Sequence, residues 1–368
     1  MRVALITYST KPRGGVVHTL ALAEALTAIG VQVSVWTLGR GGDLTFFRHV
    51  DPAVTLEVVP FEPRDGETVG ERIVRSIATM TAAFRPGDYD IVHTQDCISA
   101  NAVPGSIRTV HHLDEFTTPE LIACHDRAIA QPVALICVSA AVAGEVQTGW
   151  SRTATVIPNG VDAARFARAA GTDGRADREY WTSRLGDDYI LALGGIEPRK
   201  GSIDLLEAYA LLRGISGHDG VRLVFGGGET LFDYRPYREA FDTRAGELGI
   251  GPVFLGAIDD SRVPGLVAAS RALGFVSTKE GFGLAAMEAL AAGVPVVARD
   301  LPVLREVFGE AVRYADSPPG IAAQLVAVLA GDRPDPRAGS ELAASHSWRT
   351  AARQHVELYR SVQVAHQS

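Results

Sequence analysis

Short apolar runs alternate with longer segments of helical periodicity along almost the whole chain. Residues 3–8 form an apolar run of strand length. After the polar loop Lys11-Pro12-Arg13-Gly14-Gly15, the apolar positions of residues 17–29 recur at helical spacing. Gly30 stands where that helix must end, since the residue just past a last turn often needs positive φ. Further strands are expected at 31–38, 91–94, 107–111, 134–139 and 154–157. A second series follows at 189–193, 221–225, 253–255, 272–277 and 294–298, with a closing helix at about 347–364. Such alternation predicts parallel sheets covered by helices on both faces.

The pattern breaks at Ile157-Pro158-Asn159-Gly160-Val161-Asp162, which places three turn residues in a row. Residues 168–188 are charged and poorly periodic and read as a linker. The expected division is therefore a first domain over 1–170, a second over 171–345, and a terminal helix over 346–368 that returns to the first. The fold class expected is α/β, with two doubly wound, Rossmann-like domains facing each other across a cleft. The length of 368 residues suits two domains.

Composition narrows the function. Lys+Arg 35 against Asp+Glu 43 leaves a net charge of −8, so nucleic-acid partners are not expected. Cys97, Cys124 and Cys137 have neither metal-ligand spacing nor an even count, which suggests a reducing, cytoplasmic location. The opening residues turn polar too soon for a signal peptide, and no apolar run reaches the ~20 residues of a membrane span.

Ligands of such sheets bind beyond the carboxyl ends of the strands. The segment after residues 272–277 has the composition for it: Glu280-Gly281-Phe282-Gly283 make a turn and Leu284 opens a helix. Glycines let a ligand approach the backbone, and a helix start offers free N–H groups to a diphosphate. Glu288 is the only charge in that otherwise apolar helix, so its carboxylate needs donors such as ribose hydroxyls. Glu280 is placed for the hydroxyls of a sugar beside the phosphates. The competing view has these glycines merely capping a turn.

After residues 189–193 comes Gly194-Gly195-Ile196-Glu197-Pro198-Arg199-Lys200-Gly201, with adjacent cations just before a helix near Ser202. Only Lys11, Lys200 and Lys279 are lysines, so a lysine retained here hints at a wanted point charge. Arg199 and Lys200 are the candidates to neutralise a diphosphate leaving group. The order Lys-Gly-Ser differs from a P-loop, and G-x-G-x-x-G is absent near Gly14, Gly15 and His18. His111 ends a strand and suits a sugar hydroxyl, with His112 behind it. Asp88-Tyr89-Asp90 imitates a metal-binding Asp-x-Asp but precedes a strand, the wrong end for the site. Gly226-Gly227-Gly228-Glu229 also leaves a strand, Trp348 and Tyr359 read as core anchors, and Arg72 and Arg75 as a solvated helix face with membrane contact as the alternative.

The block from Glu280 through Glu288 to Gly293-Val-Pro-Val-Val, followed by Leu304-Arg305-Glu306-Val307, resembles the retaining GT-B transferases of glycosyltransferase family 4 and their E-x7-E motif. Asp90-Ile91-Val92-His93, Pro198-Arg199-Lys200-Gly201 and Val253-Phe254-Leu255-Gly256 fit the same order. The resemblance implies a nucleoside diphosphate sugar as donor, with Glu280 on the donor sugar and Glu288 on the ribose. It implies Arg199 and Lys200 on the diphosphate, assisted by N–H groups of Phe282, Gly283 and Leu284 and by the Gly15 loop. Gly256, Ala257 and Ile258 would receive the base, and His111 matches the family's histidine near the transferred sugar. The chain departs from the family at Gly194-Gly195, where many members have Gly-Arg, and at His111-His112, where a His-Asp pair is frequent and Asp114 is the nearest acid.

The function expected is retaining transfer of a hexose to an unidentified acceptor hydroxyl, with no cofactor and no metal at the phosphates. A nucleotide-sugar epimerase of similar build and a non-catalytic nucleotide-sugar sensor are the alternatives.

Overall fold

The computed structural model describes residues 1–113, 116, 119–228 and 234–367. It divides into two compact units, Met1–Gly160 with His346–Ser368, and Val161–Ser345. The first contains β1 (Arg2–Ile6), α1 (Gly14–Thr27), β2 (Gln32–Arg40), β3 (Thr55–Phe61), α2 (Val69–Ala83), β4 (Ile91–Thr94), α3 (Cys97–Ala102), β5 (Ile107–Val110), α4 (Pro119–Ala130), β6 (Ala134–Cys137), α5 (Ala140–Trp150) and β7 (Thr155–Val156). The second contains α6 (Ala163–Ala170), α7 (Arg175–Leu185), β8 (Tyr189–Leu193), α8 (Ser202–Arg213), β9 (Arg222–Gly226), α9 (Arg235–Leu248), β10 (Val253–Phe254), α10 (Val263–Ala269), β11 (Ala272–Phe275), α11 (Leu284–Ala291), β12 (Val296–Arg299), α12 (Pro302–Phe308), β13 (Arg313–Ala315), α13 (Pro318–Leu329) and α14 (Pro336–Ser345). α15 (Trp348–Gln367) closes the chain.

Both sheets are parallel and doubly wound. The first has the order β3-β2-β1-β4-β5-β6-β7, the second β10-β9-β8-β11-β12-β13. In each, the chain works outward in one direction, returns to the middle and works outward in the other. The strand order therefore reverses between β1 and β4 in one sheet and between β8 and β11 in the other. β1 is apolar without alternation because both faces are covered, so Val3, Ala4, Leu5 and Ile6 are all fully buried.

α15 returns to the first unit, as expected. Ala351, Ala352, Val356 and Tyr359 join the core formed by Leu20, Ala23 and Leu26 of α1. The Tyr359 hydroxyl hydrogen-bonds Nδ1 of His93 at 2.7 Å, and the other ring nitrogen of His93 meets the Thr109 hydroxyl at 2.7 Å. Gly160 seats the start of this helix: a Cβ there would lie 2.4 Å from the backbone nitrogen of Trp348.

Several expectations need correction. Residues 168–188 are not a linker. They hold the end of α6, a 3-10 turn and α7, anchored by the buried Trp181, whose indole donates to the Arg262 carbonyl at 3.0 Å. Only Trp181 and Leu185 of α7 are buried, so the segment carries too few apolar positions to show a period. The division falls at 160/161 rather than 170/171, because α6 packs on α10 and α11. The strands β3 and β13 were not expected. Each is an edge strand, one half-exposed and one three residues long, so neither carries the apolar run of a central strand. Arg75 is not a solvated charge: it pairs with Glu67 at 2.5 Å and lies 3.9 Å over the Phe61 ring. The three cysteines are free, and among the described residues no helix is long and apolar enough to cross a membrane. Asp90 sits at the start of β4 and accepts from the Arg2 amide at 2.7 Å, a structural role.

Gly160→Ala is expected to lower unfolding stability by about 1–3 kcal/mol, because the methyl group forces α15 off its seat. A thermal or urea midpoint equal to that of the wild type would contradict this seating.

Candidate functional site

The order reversal between β8 and β11 leaves the loops after those two strands side by side. Thr278 donates its amide to the Arg199 carbonyl at 2.8 Å, which zips the two loops together. Gly201 passes so close that a Cβ would lie 2.3 Å from the Val276 carbonyl oxygen, and its φ of +62° also favours glycine. Arg299, at the end of β12, braces the crossing. It donates to the Val276 carbonyl at 2.8 Å and the Asp316 carbonyl at 3.0 Å, and pairs with Asp204 in the first turn of α8.

This backbone brings three of the expected residues together. Lys200 Nζ lies 2.7 Å from Glu280 Oε1, and Arg199 Nη1 lies 3.2 Å from the same oxygen. Arg199 also reaches the Lys279 carbonyl at 3.3 Å and Glu197 at 3.9 Å. Burial opposes ionisation of Glu280, but the Lys200 and Arg199 cations overcome it and, with hydrogen bonds from Lys200 and Ser277, hold the carboxyl down at about 2. Two cations thus converge on one carboxylate oxygen whose side chain is 11% exposed. The Lys200 stem lies against Gly194, whose φ is +131°, and Lys200 lines a small cavity with Gly194, Gly195, Phe275 and Ser277. Arg199 supplies a guanidinium although position 195 is glycine.

Gly283 (φ +100°) opens α11 without a side-chain cap, and a Cβ there would lie 2.9 Å from the Phe308 ring. The first N–H groups of the helix, from Leu284 onward, have no intrahelical carbonyl, and the positive end of its dipole points the same way. Gly281 and Phe282 are buried just ahead of it. Glu288 lies one turn inside α11, half-buried, in a different electrostatic setting. Burial pushes its carboxyl up to about 8; Arg165 acts against this, while Asp260 and Asp162 add to it. Arg165, on α6, binds Asp260 Oδ2 at 2.8 Å. No contact among the described residues joins Glu288 to Arg199 or Lys200.

Gly256, Ala257 and Ile258 follow β10. Gly256 (φ +67°) and Ala257 are exposed, and Ile258 packs on Gly226. Gly227 donates to the Gly256 carbonyl at 3.0 Å and Gly194 to the Gly226 carbonyl at 2.8 Å, so the loops after β8, β9 and β10 are knit edge to edge. Glu229 lies outside the described residues.

In the first unit, Gly14 and Gly15 open α1. A Cβ on Gly15 would touch the His111 ring at 3.5 Å. His111 meets His18 edge-on at 4.7 Å, and His18 Nδ1 bonds Asn159 at 2.8 Å. Burial pulls the His111 pKa down to about 3, helped by nearby His112, His93, Arg108 and His355, so the ring is neutral. Asp114, the suggested acidic partner, lies outside the described residues.

Ser277, Arg165, Asp260 and Asn159 take part without having been singled out as site residues. Ser277 ends an apolar strand, and Asn159 sits among turn residues. The one available signal for Ser277 was that a polar residue closes a run bound for a ligand site.

Comparison with known proteins agrees with this architecture. The model described as Glycosyltransferase Family 4 matches residues 12–165, and that described as Glycosyl transferases group 1 matches 173–331. The phosphatidyl-myo-inositol mannosyltransferase of Mycolicibacterium smegmatis is 29% identical, across 98% of this chain and 94% of that protein. The D-inositol 3-phosphate glycosyltransferase of Streptomyces scabiei is also 29% identical, across 97% and 90%. Among solved structures, sucrose-phosphate synthase from Thermosynechococcus elongatus superposes with a TM-score of 0.78 at 20% identity, covering 99% of each chain. Anabaena HepE in complex with UDP-glucose gives 0.73 at 18% identity, covering 98% of this chain and 100% of that one. Two parallel-sheet units in tandem, each matched by its own model, place the chain in glycosyltransferase family 4, among the group 1 glycosyl transferases of GT-B fold.

Proposed function

We propose that the second unit binds a nucleoside diphosphate sugar and that the protein transfers its hexose to an acceptor hydroxyl with retention of anomeric configuration. The observation that carries this reading is the convergence of Lys200 and Arg199 on one oxygen of Glu280, beside an uncapped helix start. Cations that share one anionic oxygen can also share an adjacent phosphate oxygen. Stabilising the charge that develops there is the largest contribution such a site can make to bond breaking. Glu280 stays ionised at neutral pH and so accepts hydrogen bonds from hydroxyls of the transferred sugar. Phe282, Gly283 and Leu284 offer backbone N–H groups to the diphosphate. Gly256, Ala257 and Ile258 receive the base.

The bond from the anomeric carbon to the leaving phosphate oxygen breaks, and the acceptor oxygen adds on the same face. The acceptor proton passes to the departing phosphate. No protein nucleophile and no metal ion enters this scheme. The names of the 29%-identical relatives, a mannosyltransferase and a glycosyltransferase, support a hexosyl donor.

UDP, GDP and ADP sugars screened by thermal shift, then assayed with and without EDTA, test the reading. Lys200→Met should lower turnover on the order of 10²-fold in a protein that still folds. A product of inverted configuration, turnover abolished by EDTA, or an undiminished Lys200→Met variant would each contradict it.

Glu288 adds a pH dependence. Two ribose hydroxyls can donate one to each oxygen only of the ionised carboxylate, while the free protein keeps this group protonated up to about 8. Binding therefore releases a proton below that pH, and nucleotide affinity rises with pH. Relative to Glu288→Gln, the wild type should gain up to about tenfold in affinity per pH unit below 8 and level off above it. Calorimetry in buffers of different ionisation enthalpy reads the released proton directly. A ratio that does not change with pH would remove Glu288 from the ribose.

A further inference from the structure

The first unit holds a thiol in a setting that the transferase reading does not use. Cys97 opens α3, shortly after β4, and is partly exposed. Its sulfur is met from two other elements. Arg108 of β5 donates Nη2 to it at 3.2 Å, and Nδ1 of His125 on α4 lies 3.4 Å away. Asn101, one turn along α3, locks this arrangement. Its amide nitrogen donates to the Cys97 carbonyl at 2.8 Å and to the Cys124 carbonyl at 2.7 Å, which pins the residue before His125 to α3.

Arg108 is the informative member. It is 3% exposed, and among the described residues the Cys97 sulfur is the single acceptor its guanidinium finds, with Nε and Nη1 unpaired. Asp96 acts on this charge from nearby, but its Oδ1 caps α3, its Oδ2 bonds nothing, and burial raises its carboxyl pKa. A neutral thiol is a weak acceptor and leaves a buried cation poorly matched. A thiolate gives it a strong acceptor and a negative charge in direct contact. An adjacent cation also lowers the pKa of a thiol, and the thiolate is the reactive form.

The other two cysteines lack this combination. Cys137 is fully buried, and burial pushes its thiol up to about 12 against the pull of Arg108. Cys124 is buried as well, and the Arg127 guanidinium that meets its sulfur at 3.2 Å belongs to an exposed residue whose charge water weakens.

We propose that Cys97 is a thiolate site for oxidation by a hydroperoxide, with Arg108 as the residue that keeps the sulfur anionic and then holds the product. The thiolate attacks one peroxide oxygen, so an S–O bond forms and the O–O bond breaks. Sulfur gives two electrons to the peroxide. The proton of the attacked oxygen departs on the leaving oxygen, as water when the oxidant is hydrogen peroxide, and a sulfenate remains. The new oxygen, one bond from Sγ, is an acceptor of the kind that Nε and Nη1 of Arg108 lack. The site does not depend on the transferase reading.

The test uses the full chain, reduced, with iodoacetamide and hydrogen peroxide as probes. At pH 7, peptide mass spectrometry should find Cys97 alkylated at least about tenfold faster than Cys124 or Cys137. Stoichiometric peroxide followed by dimedone should leave the adduct on Cys97, and Cys97→Ser should lose it. Arg108→Met replaces the cation by an apolar side chain of similar length. It should slow both reactions about tenfold for each unit by which the thiol pKa rises, in a protein with the circular dichroism of the wild type. If that variant does not fold, the wild-type rates and adduct decide the matter. Cys97 alkylated no faster than Cys124, dimedone absent from Cys97, or a folded Arg108→Met that reacts as the wild type does would each overturn the proposal.

Discussion

A buried carboxylate held by two cations at the reversal point of a parallel sheet is the constraint around which the second unit is built. Glu280 does not stay ionised in that setting unaided. Lys200 and Arg199 overcome its burial, and they are brought to it by backbone rather than by side-chain reach. The loop carrying them is zipped to the loop carrying Glu280 through Thr278, with Gly201 pressed against Val276 and Arg299 bracing the crossing. In the free protein the carboxylate is the counterion of both cations. On the proposed reading, a diphosphate arriving beside it brings more negative charge to the same pair and leaves Glu280 free to accept from sugar hydroxyls.

The two sheets share one winding rule and differ in how their polar groups are satisfied. In the second unit the charged groups find one another: Arg299 with Asp204, Arg165 with Asp260, Lys200 with Glu280. In the first, Gln95 and Asp96 after β4, Thr10 in the loop after β1 and Arg108 within β5 keep atoms without partners. A satisfied network is rigid, while buried polar atoms left without partners cost stability.

Much of this was legible in the chain. Central strands such as residues 91–94 and 189–193 are continuous apolar runs because both faces are covered, and they were placed within a residue or two. The E-x7-E block was readable because Gly281 and Gly283 interrupt an apolar context and Glu288 is isolated in it. What escaped has a physical reason in each case. β3 is an edge strand without a clear period, and α7 is held by two side chains among charged ones. Residues 280 and 288 look like a pair in sequence, yet one is held ionised by Lys200 and Arg199, 80 and 81 positions away, and the other kept protonated by burial. The orphaned side chain of Gln95 is invisible in sequence, because lacking a partner is a property of the fold alone.

The most direct measurement is a crystal structure with an intact nucleoside diphosphate sugar bound. The account predicts phosphate oxygens within hydrogen-bond distance of both Arg199 and Lys200, the sugar hydroxyls on Glu280 and the ribose hydroxyls on Glu288. A diphosphate bound away from that cation pair, or a ribose turned from Glu288, would contradict it.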